Sequence, residues 1–277
     1  MSEPLTTNDP QNKDALLEAV ASLTEEAGHA IMEVYGTTIQ TEAKSDGSPI
    51  TEADLRSQTI LAEALPRLLP VPLLSEEQEA VPIEARRSWN RFWLVDPLDG
   101  TKDFVQRTGD FSVCVALIEE GQPVLGVIHG PVSGTTWMAR LGSGVRRRSI
   151  GAETVPVPPP SPSEPPKVGL VSRFHRAGGG TDAYLARLGI ERTEPVGSAL
   201  KFCRMAEGWA DIYVRLGPTM EWDVGAGDII VREAGLELVS IPEGARLAYN
   251  TETLRNPHFM VRRPSATPPL APEPPDR

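Results

Sequence analysis

The sequence feature that most constrains the fold is a proline-dense segment near the middle of the chain, residues 155–167, which reads VPVPPPSPSEPPK. Proline fixes φ and has no backbone N–H, so such a segment is excluded from helix interiors and from central strands. We therefore predict a surface loop here, which separates an N-terminal α+β part, 13–154, from a C-terminal α/β part, 168–263. Residues 264–277 have the composition of a disordered tail.

The N-terminal part begins with two helical patterns. Apolar residues recur at helical spacing from Asp14 to a stop signal at Gly36, which predicts one long amphipathic helix. Thr51 and Asp54 have the spacing of a capping box and predict the start of a second helix, which ends before Pro70. Strands are predicted next, in the stretches RFWLVD, FSVCVALIEEGQPVLGVIHGP (two strands joined by a turn) and TTWMAR.

The C-terminal part alternates between strand and helix patterns, in the order KVGLVS, TDAYLARLG, TEPVG, SALKFCRMAEGWA, DIYVRL and WDVGAGDIIVREAG. Such alternation is typical of layered α/β structure. For the whole chain we predict an α/β (α+β) class with the helices and sheets in separate layers.

Composition excludes several classes of protein. A net charge of −11 argues against a general nucleic-acid binder, which needs a basic surface. The sequence has no run of about 18 apolar residues, so no membrane helix is predicted. The N-terminus lacks the basic start and apolar core of a signal peptide. Cys114 and Cys203 are predicted to be buried free thiols, which fits a reducing compartment. We expect a cytoplasmic protein without membrane or nucleic-acid partners.

Three acidic clusters stand at predicted element boundaries: SEE at 75–77, DPLD at 96–99 and EWD at 221–223. The four histidines are scattered and lack the spacing of a zinc site. Hard cations such as Mg²⁺ or Mn²⁺ prefer oxygen ligands, and Mg²⁺ completes its shell with water and substrate phosphate. The clusters therefore favour phosphoryl chemistry.

The DPLD cluster continues into a turn, DPLDGT. Pro97 stiffens the turn, so that Asp96, Asp99 and the carbonyl of Leu98 can face one ion or two neighbouring ions. A glycine next in the chain permits close approach of the backbone, and the free N–H groups of a following helix favour an anion. An ordinary Asp/Gly turn with N-capping explains the same segment, so both interpretations stay open from these residues alone.

Taken together, LLSEE, WLVDPLDGTKDF and EWDVGAGDIIVREAG resemble the inositol monophosphatase superfamily. Two motifs of that superfamily, D-P-(L/I)-D-G-T and W-D-x-x-(A/G)-G, occur in the right order, and the resemblance covers residues 14–263. It implies a layered αβαβα sugar-phosphatase fold and a Mg²⁺-dependent, lithium-sensitive phosphatase.

A narrower resemblance concerns the substrate. DGSPITEAD, DGTKDF, GSALKFC and YVRLGP are similar to CysQ-type 3′(2′),5′-bisphosphate nucleotidases, whereas inositol monophosphatases usually have Asn where this chain has Asp103. The implied reaction converts 3′-phosphoadenosine 5′-phosphate, a by-product of sulfate assimilation, to AMP and phosphate through metal-activated water. The alternatives are an inositol or fructose-1,6-bisphosphate phosphatase of the same superfamily, and a metal-dependent binding protein on a retired phosphatase fold. A homodimer is compatible with each.

The resemblance also implies roles for single residues. The implied ligands of two or three Mg²⁺ ions (or Mn²⁺) are Glu76, Asp96, the Leu98 carbonyl, Asp99 and Asp223. The implied catalytic residues are Asp54, Thr101 and Glu76. The implied substrate contacts are Leu98, Asp99, Gly100, Thr101, His175, Ser198, Lys201, Arg215 and Asp223. One residue inserted after SEE leaves a choice between Glu76 and Glu77, of which we favour Glu76.

Overall fold

The computed structural model describes residues 10–39, 41–43, 49–161, 167–174, 180–190, 192–265, 267 and 269–272. The helices are α1 (Pro10–Tyr35), α2 (Glu52–Leu68), α3 (Ile83–Arg86), α4 (Thr101–Val105), α5 (Gly180–Arg187), α6 (Leu200–Ala206) and α7 (Gly225–Glu233), with a 3₁₀ turn at Glu221–Asp223. The strands are β1 (Thr41–Ala43), β2 (Pro49–Thr51), β3 (Leu73–Ser75), β4 (Arg91–Asp99), β5 (Ser112–Glu119), β6 (Gln122–Gly130), β7 (Thr135–Arg140), β8 (Val145–Ser149), β9 (Val155–Val157), β10 (Val168–Ser172), β11 (Arg192–Val196), β12 (Ile212–Arg215), β13 (Glu237–Ser240) and β14 (Phe259–Arg262).

The larger sheet contains seven strands in the order β3-β4-β5-β6-β7-β8-β9. Both faces of this sheet are buried. Successive side chains of a strand point to opposite faces, so each strand contributes to two cores. On β4, Trp93 and Val95 join the core formed with α1 and α2, whereas Phe92 and Leu94 join the core formed with α6 and α7. Helix α7 lies so close to β6 that a Cβ atom on Gly126 would be 2.4 Å from the Ile229 side chain.

The smaller sheet has the order β11-β10-β12-β14-β13. One face packs on α6 and α7, and the other face packs on α5. The layers therefore run α1/α2, large sheet, α6/α7, small sheet, α5, which confirms the layered αβαβα prediction. Since α6 and α7 belong to the C-terminal part and cover the N-terminal sheet, the two parts share one hydrophobic core.

The proline-rich segment 155–167 is not a loop from its first residue. Val155–Val157 forms β9, which pairs antiparallel with β8 and places Pro156 opposite Arg146. The strand is at the edge of the sheet, where proline is tolerated because one side of the strand needs no hydrogen-bonding partner. The loop prediction is therefore wrong for these three residues, and 162–166 lie outside the described residues.

The predicted disordered tail, 264–277, also differs in part from the structure. The Tyr184 hydroxyl donates a hydrogen bond of 2.7 Å to the Leu270 carbonyl, and Arg187 Nη1 donates one of 3.0 Å to the Ala271 carbonyl. These bonds hold the described part of the tail against α5. Residues 273–277 lie outside the described part of the chain.

Other differences concern strands that carry little apolar pattern. Helix α1 begins at Pro10, four residues before the predicted start at Asp14. Strand β8, with the sequence VRRRS, was not predicted, because three successive arginines obscure its alternation. Two of them, Arg146 and Arg148, pair with acids of α1.

None of the helices within the described residues combines the length and apolar character that a bilayer crossing requires.

Candidate metal centre and active site

The two acids of DPLD reach the same side of the large sheet through a bulge in β4. Asp96 is opposite Cys114 and Asp99 is opposite Ser112 on β5, with a shift of register between them. Three steps along β4 thus match two steps along β5, so one extra residue is accommodated. In a regular strand, residues three apart point to opposite faces. The bulge therefore allows both carboxylates to face one cavity, and both line it.

Three acids from distant parts of the sequence form a compact group. Glu76, Asp96 and Asp223 each offer a carboxylate oxygen, and these oxygens lie within 4.8 Å of one another. Strand β3 runs parallel to β4 with Ser75 beside Val95, which brings the next residue, Glu76, to the side of Asp96. The group contains Glu76 rather than Glu77.

The group suits a hard cation. Asp96 is buried, and its Oδ2 atom has no hydrogen-bonding partner among the residues that the structure describes. A buried carboxylate oxygen left without a partner is unfavourable unless a cation satisfies it. Three carboxylates without sulfur or imidazole ligands are the donor set that Mg²⁺ or Mn²⁺ prefers. The residues present therefore fit a divalent metal.

Burial and mutual repulsion perturb these acids. Burial, followed by the charge of Glu76, raises the pKa of Asp96 well above its usual value. Burial and the charges of Asp99 and Glu76 do the same to the pKa of Asp223. Burial raises the pKa of Asp99 to about 6, against the opposing effects of Lys201 and the Ala199 backbone N–H. A bound divalent cation would lower these pKa values again, because it favours the ionised forms of the carboxylates.

The raised pKa values predict a pH dependence of stability for the metal-free protein. A group whose pKa is higher in the folded state contributes stability at low pH, and this contribution disappears as pH rises through the folded-state pKa. For Asp99 that pKa is about 6. We expect the Tm in a chelator to fall as pH rises from about 4, near the ordinary pKa of an aspartate, to about 7, just above the folded-state pKa of Asp99. The fall should be smaller with saturating Mg²⁺. Thermal unfolding at several pH values tests this, and equal slopes with and without Mg²⁺ would contradict it.

A capped helix holds the next pair of predicted residues. The Thr51 backbone N–H and hydroxyl both donate to Asp54 Oδ2, at 2.8 and 2.6 Å, which completes the predicted capping box at the start of α2. The Thr101 hydroxyl lies 3.4 Å from Asp54 Oδ1 and 3.4 Å from the Leu98 carbonyl. One oxygen of Asp54 therefore serves the helix start, and the other orients the Thr101 hydroxyl.

The glycine of DPLDGT is required by its surroundings. Gly100 has a φ of +92°, in the left-handed region. A Cβ atom there would lie 3.1 Å from the Asp110 carbonyl oxygen and 3.2 Å from the Ser198 side chain. This position brings the start of α4 against the loop that precedes α6, at the boundary between the two parts of the chain.

These elements surround a cavity of about 610 Å³. The predicted site residues that line it are Glu76, Asp96, Leu98, Asp99, Gly100, Thr101, Ser198, Lys201, Arg215 and Asp223. Asp54 contacts the site through Thr101. The predicted contact His175 lies outside the described residues.

Two buried cations form the wall that belongs to the C-terminal part. Lys201 Nζ donates to the carbonyls of Val196 and Ser198, and burial lowers its pKa to about 8. Arg215 donates to the Ser172 hydroxyl and to the Pro218 carbonyl, and its buried Nε has no hydrogen-bonding partner within the described part of the chain. The cavity thus has carboxylates on one side and positive groups on the other.

The sequence did not identify every residue at the cavity. Arg173, Met220, Trp222 and Arg255 also line it. The signal available for Arg173 was its position directly after the strand KVGLVS, where strand ends place side chains near a ligand site. Its partner Asp103 was noted only as a mark of the narrower resemblance.

The five-layer fold, with a carboxylate centre beside an anion-sized cavity, defines the class of metal-dependent sugar and nucleotide phosphatases. The sequence model of the inositol monophosphatase family matches residues 12–268. The chain therefore belongs to the inositol monophosphatase family.

Named relatives narrow the comparison. The chain is 42% identical over 250 residues to the 3′(2′),5′-bisphosphate nucleotidase CysQ of Salmonella typhimurium, covering 89% of this chain and 99% of that protein. It is 41% identical over 250 residues to CysQ of Escherichia coli, with the same coverage. The crystal structure of CysQ from Bacteroides thetaiotaomicron superposes with a TM-score of 0.78 at 34% identity, covering 90% of this chain and 97% of that one.

A more distant structure shares the fold alone. An inositol monophosphatase/NADP phosphatase complexed with Mg²⁺ and phosphate superposes with a TM-score of 0.72 at 20% identity, and 91% of each chain is covered.

Proposed function

We propose that this chain is a Mg²⁺-dependent 3′(2′),5′-bisphosphate nucleotidase that hydrolyses 3′-phosphoadenosine 5′-phosphate to AMP and phosphate. The observation that carries the proposal is the group formed by Glu76, Asp96 and Asp223, placed in one cavity with the buried cations Lys201 and Arg215. The CysQ relatives, at 41–42% identity over 89% of the chain, support the choice of substrate.

In this proposal the carboxylates of Glu76, Asp96, Asp99 and Asp223 and the Leu98 carbonyl hold two or three divalent ions. Bound divalent ions activate water as a nucleophile and neutralise charge on the transferred phosphoryl group and the leaving oxygen. Without cations these carboxylates repel one another, and the repulsion adds to burial in raising the pKa of Asp96 and of Asp223. The acidic centre therefore depends on metal to accept a phosphate.

Thr101 and Asp54 have a separate task. The Asp54 carboxylate is fixed by Thr51 and accepts a hydrogen bond from the Thr101 hydroxyl. The oxygen lone pairs of Thr101 are then free to accept a hydrogen bond from the attacking water in the cavity. Asp54 and Thr101 thereby hold this water in position. They also polarise its O–H bond, so that negative charge gathers on the oxygen that attacks phosphorus.

Thr101→Ala should therefore lower kcat on the order of 100-fold and leave KM nearly unchanged, because the hydroxyl acts on the water and not on the substrate. Thr101→Ser keeps a hydroxyl in the same place and should retain most of the rate. Steady-state kinetics at saturating Mg²⁺ measures both. Equal losses in the two variants, or a loss confined to KM, would contradict the assigned role.

In this proposal the opposite wall, at Ser198, Lys201 and Arg215, binds the second phosphate or the base of the nucleotide. The resemblance adds His175, which lies outside the described residues. Arginine suits bidentate contact with phosphate.

The direct experiment is phosphate release from a panel of 3′-phosphoadenosine 5′-phosphate, inositol 1-phosphate and fructose 1,6-bisphosphate. We expect the highest kcat/KM for the nucleotide, by at least about 10-fold. A preference for either sugar phosphate would refute the proposed substrate while leaving the metal centre in place.

A further inference from the structure

A half-buried arginine, Arg173, joins two acidic side chains at the boundary between the two parts of the chain. Its Nη2 donates a hydrogen bond to Asp110 Oδ2, and its Nε lies 3.2 Å from Asp103 Oδ1. The side chain of Asp103 is only 5% exposed. Water therefore screens the charges of this cluster only in part. Asp103 and Asp110 repel each other, and the positive charge of Arg173 offsets the repulsion.

The same two acids hold the loop 197–199, which leads into α6. The Gly197 backbone N–H donates a hydrogen bond of 3.0 Å to Asp110 Oδ2. A Cβ atom on Gly197 would lie 2.5 Å from Asp103 Oδ2 and 2.5 Å from the Asp110 carbonyl oxygen. The loop backbone therefore rests directly on the acid pair, with no space for a larger residue.

The loop in turn contacts the metal centre. The Ala199 backbone N–H donates to Asp99 Oδ2. Ser198, between the two contacts, has a φ of +51°, a conformation that a non-glycine residue adopts only when its surroundings impose it. The orientation of the Asp99 carboxylate therefore depends on where the acid pair holds the loop.

We propose that Arg173 is a positioning residue for the metal centre. By compensating the charges of Asp103 and Asp110, it keeps loop 197–199 against them and thereby keeps the Asp99 carboxylate oriented towards the cavity. Asp103 lines the cavity, but its carboxylate is engaged by Arg173 and by Thr108, so in this proposal it acts on the centre through the loop. The inference rests on the proposed function only for the identity of the ion.

Arg173→Met tests the inference through metal binding in the absence of substrate. Outer partners of metal ligands change metal affinity by roughly 10- to 100-fold, so we expect about 10-fold weaker Mg²⁺ binding by calorimetry. The Mg²⁺-induced rise in Tm should shrink accordingly. Arg148→Met is the matched control, because Arg148 also bridges two acids, Glu18 and Glu25, at 20% exposure and does not line the cavity. It should lose stability and keep its Mg²⁺ affinity.

A double variant separates positioning from direct substrate contact. Asp110→Asn removes the repulsion, and its amide oxygen can still accept the Gly197 N–H. Adding it to Arg173→Met should therefore restore most of the Mg²⁺ affinity. If Arg173→Met does not fold, Arg173→Lys should show an intermediate loss, since lysine lacks the fork that reaches both acids.

Two outcomes would overturn the inference. One is unchanged Mg²⁺ affinity in the folded Arg173 variants. The other is a raised KM for the nucleotide with normal Mg²⁺ binding, left uncorrected by Asp110→Asn, which would make Arg173 a substrate contact. Because metal binding is measured without substrate, a wrong substrate in the proposed function leaves this test intact.

Discussion

Replacing Asp96 with asparagine is expected to reduce phosphate release at least about 1,000-fold without unfolding the protein, since it removes charge from the centre that stabilises the transferred phosphoryl group. Asp96 is the buried member of the carboxylate group, and its Oδ2 has no partner within the described residues other than a cation that would bind there. Asparagine has nearly the same shape but cannot supply the negative charge.

The same substitution should stabilise the metal-free protein. Burial and four neighbouring acids disfavour the charge of Asp96, so a neutral side chain relieves repulsion. For a chain of this size, each kcal/mol added to the free energy of unfolding raises the Tm by roughly 2–4 °C. We expect the Tm of Asp96→Asn in a chelator to rise by about that amount. A gain in stability together with a loss of activity is the signature of a residue kept for metal binding.

Kinetics, calorimetry and thermal unfolding of Asp96→Asn measure these effects. Glu76→Gln should behave similarly, and Glu77→Gln is the matched control because it lies one residue further on and outside the carboxylate group. Near-normal turnover in Asp96→Asn, or a larger loss in Glu77→Gln than in Glu76→Gln, would refute the assignment of the ligands.

Excess chelator is the second change with a very large expected effect. It should bring phosphate release to the background rate, because the cavity then presents mutually repelling acids to an anionic substrate. Adding Mg²⁺ beyond the chelator should restore the activity and raise the Tm. Mn²⁺, which accepts the same oxygen ligands, should also restore activity.

Chelator saturated with Mg²⁺ beforehand controls for effects of the chelator itself. Activity that persists in a large excess of free chelator would exclude the metal-dependent mechanism. Restoration by Mg²⁺ of activity but not of the higher Tm would indicate that the ion arrives with the substrate and is not held by the carboxylate group alone.

Much of the fold was predictable because its elements carry local patterns. The helical spacing after Asp14 reflects which side of α1 is buried, the capping box at Thr51 marks the start of α2, and both elements are present. Two of the strands that were missed, β3 and β14, are only three and four residues long, and a third, β8, contains three successive arginines. Strand β8 holds its arginines against acids of α1, and that stabilisation is invisible without the partner helix.

The site was predictable in composition and less so in arrangement. The residue types of DPLDGT, with their rigid proline and unhindered glycine, indicated a place for a hard cation and an anion. The bulge that brings Asp96 and Asp99 to one side of the sheet depends on their pairing with β5. The engagement of Asp103 by Arg173 depends on β10, which is remote from it in sequence.

The sequence by itself determined the longer helices and the longest strands, the position of the proline-rich break and the kinds of ligand available, because these follow from spacing and side-chain chemistry. Only the tertiary structure decided that Glu76 and not Glu77 joins Asp96 and Asp223, and that two parts of the chain share one core. The physical reason is that strand pairing and burial depend on neighbours distant in sequence. Burial also raises the pKa of Asp96 and of Asp223, and among the described residues it leaves one oxygen of Asp96 without a hydrogen-bonding partner.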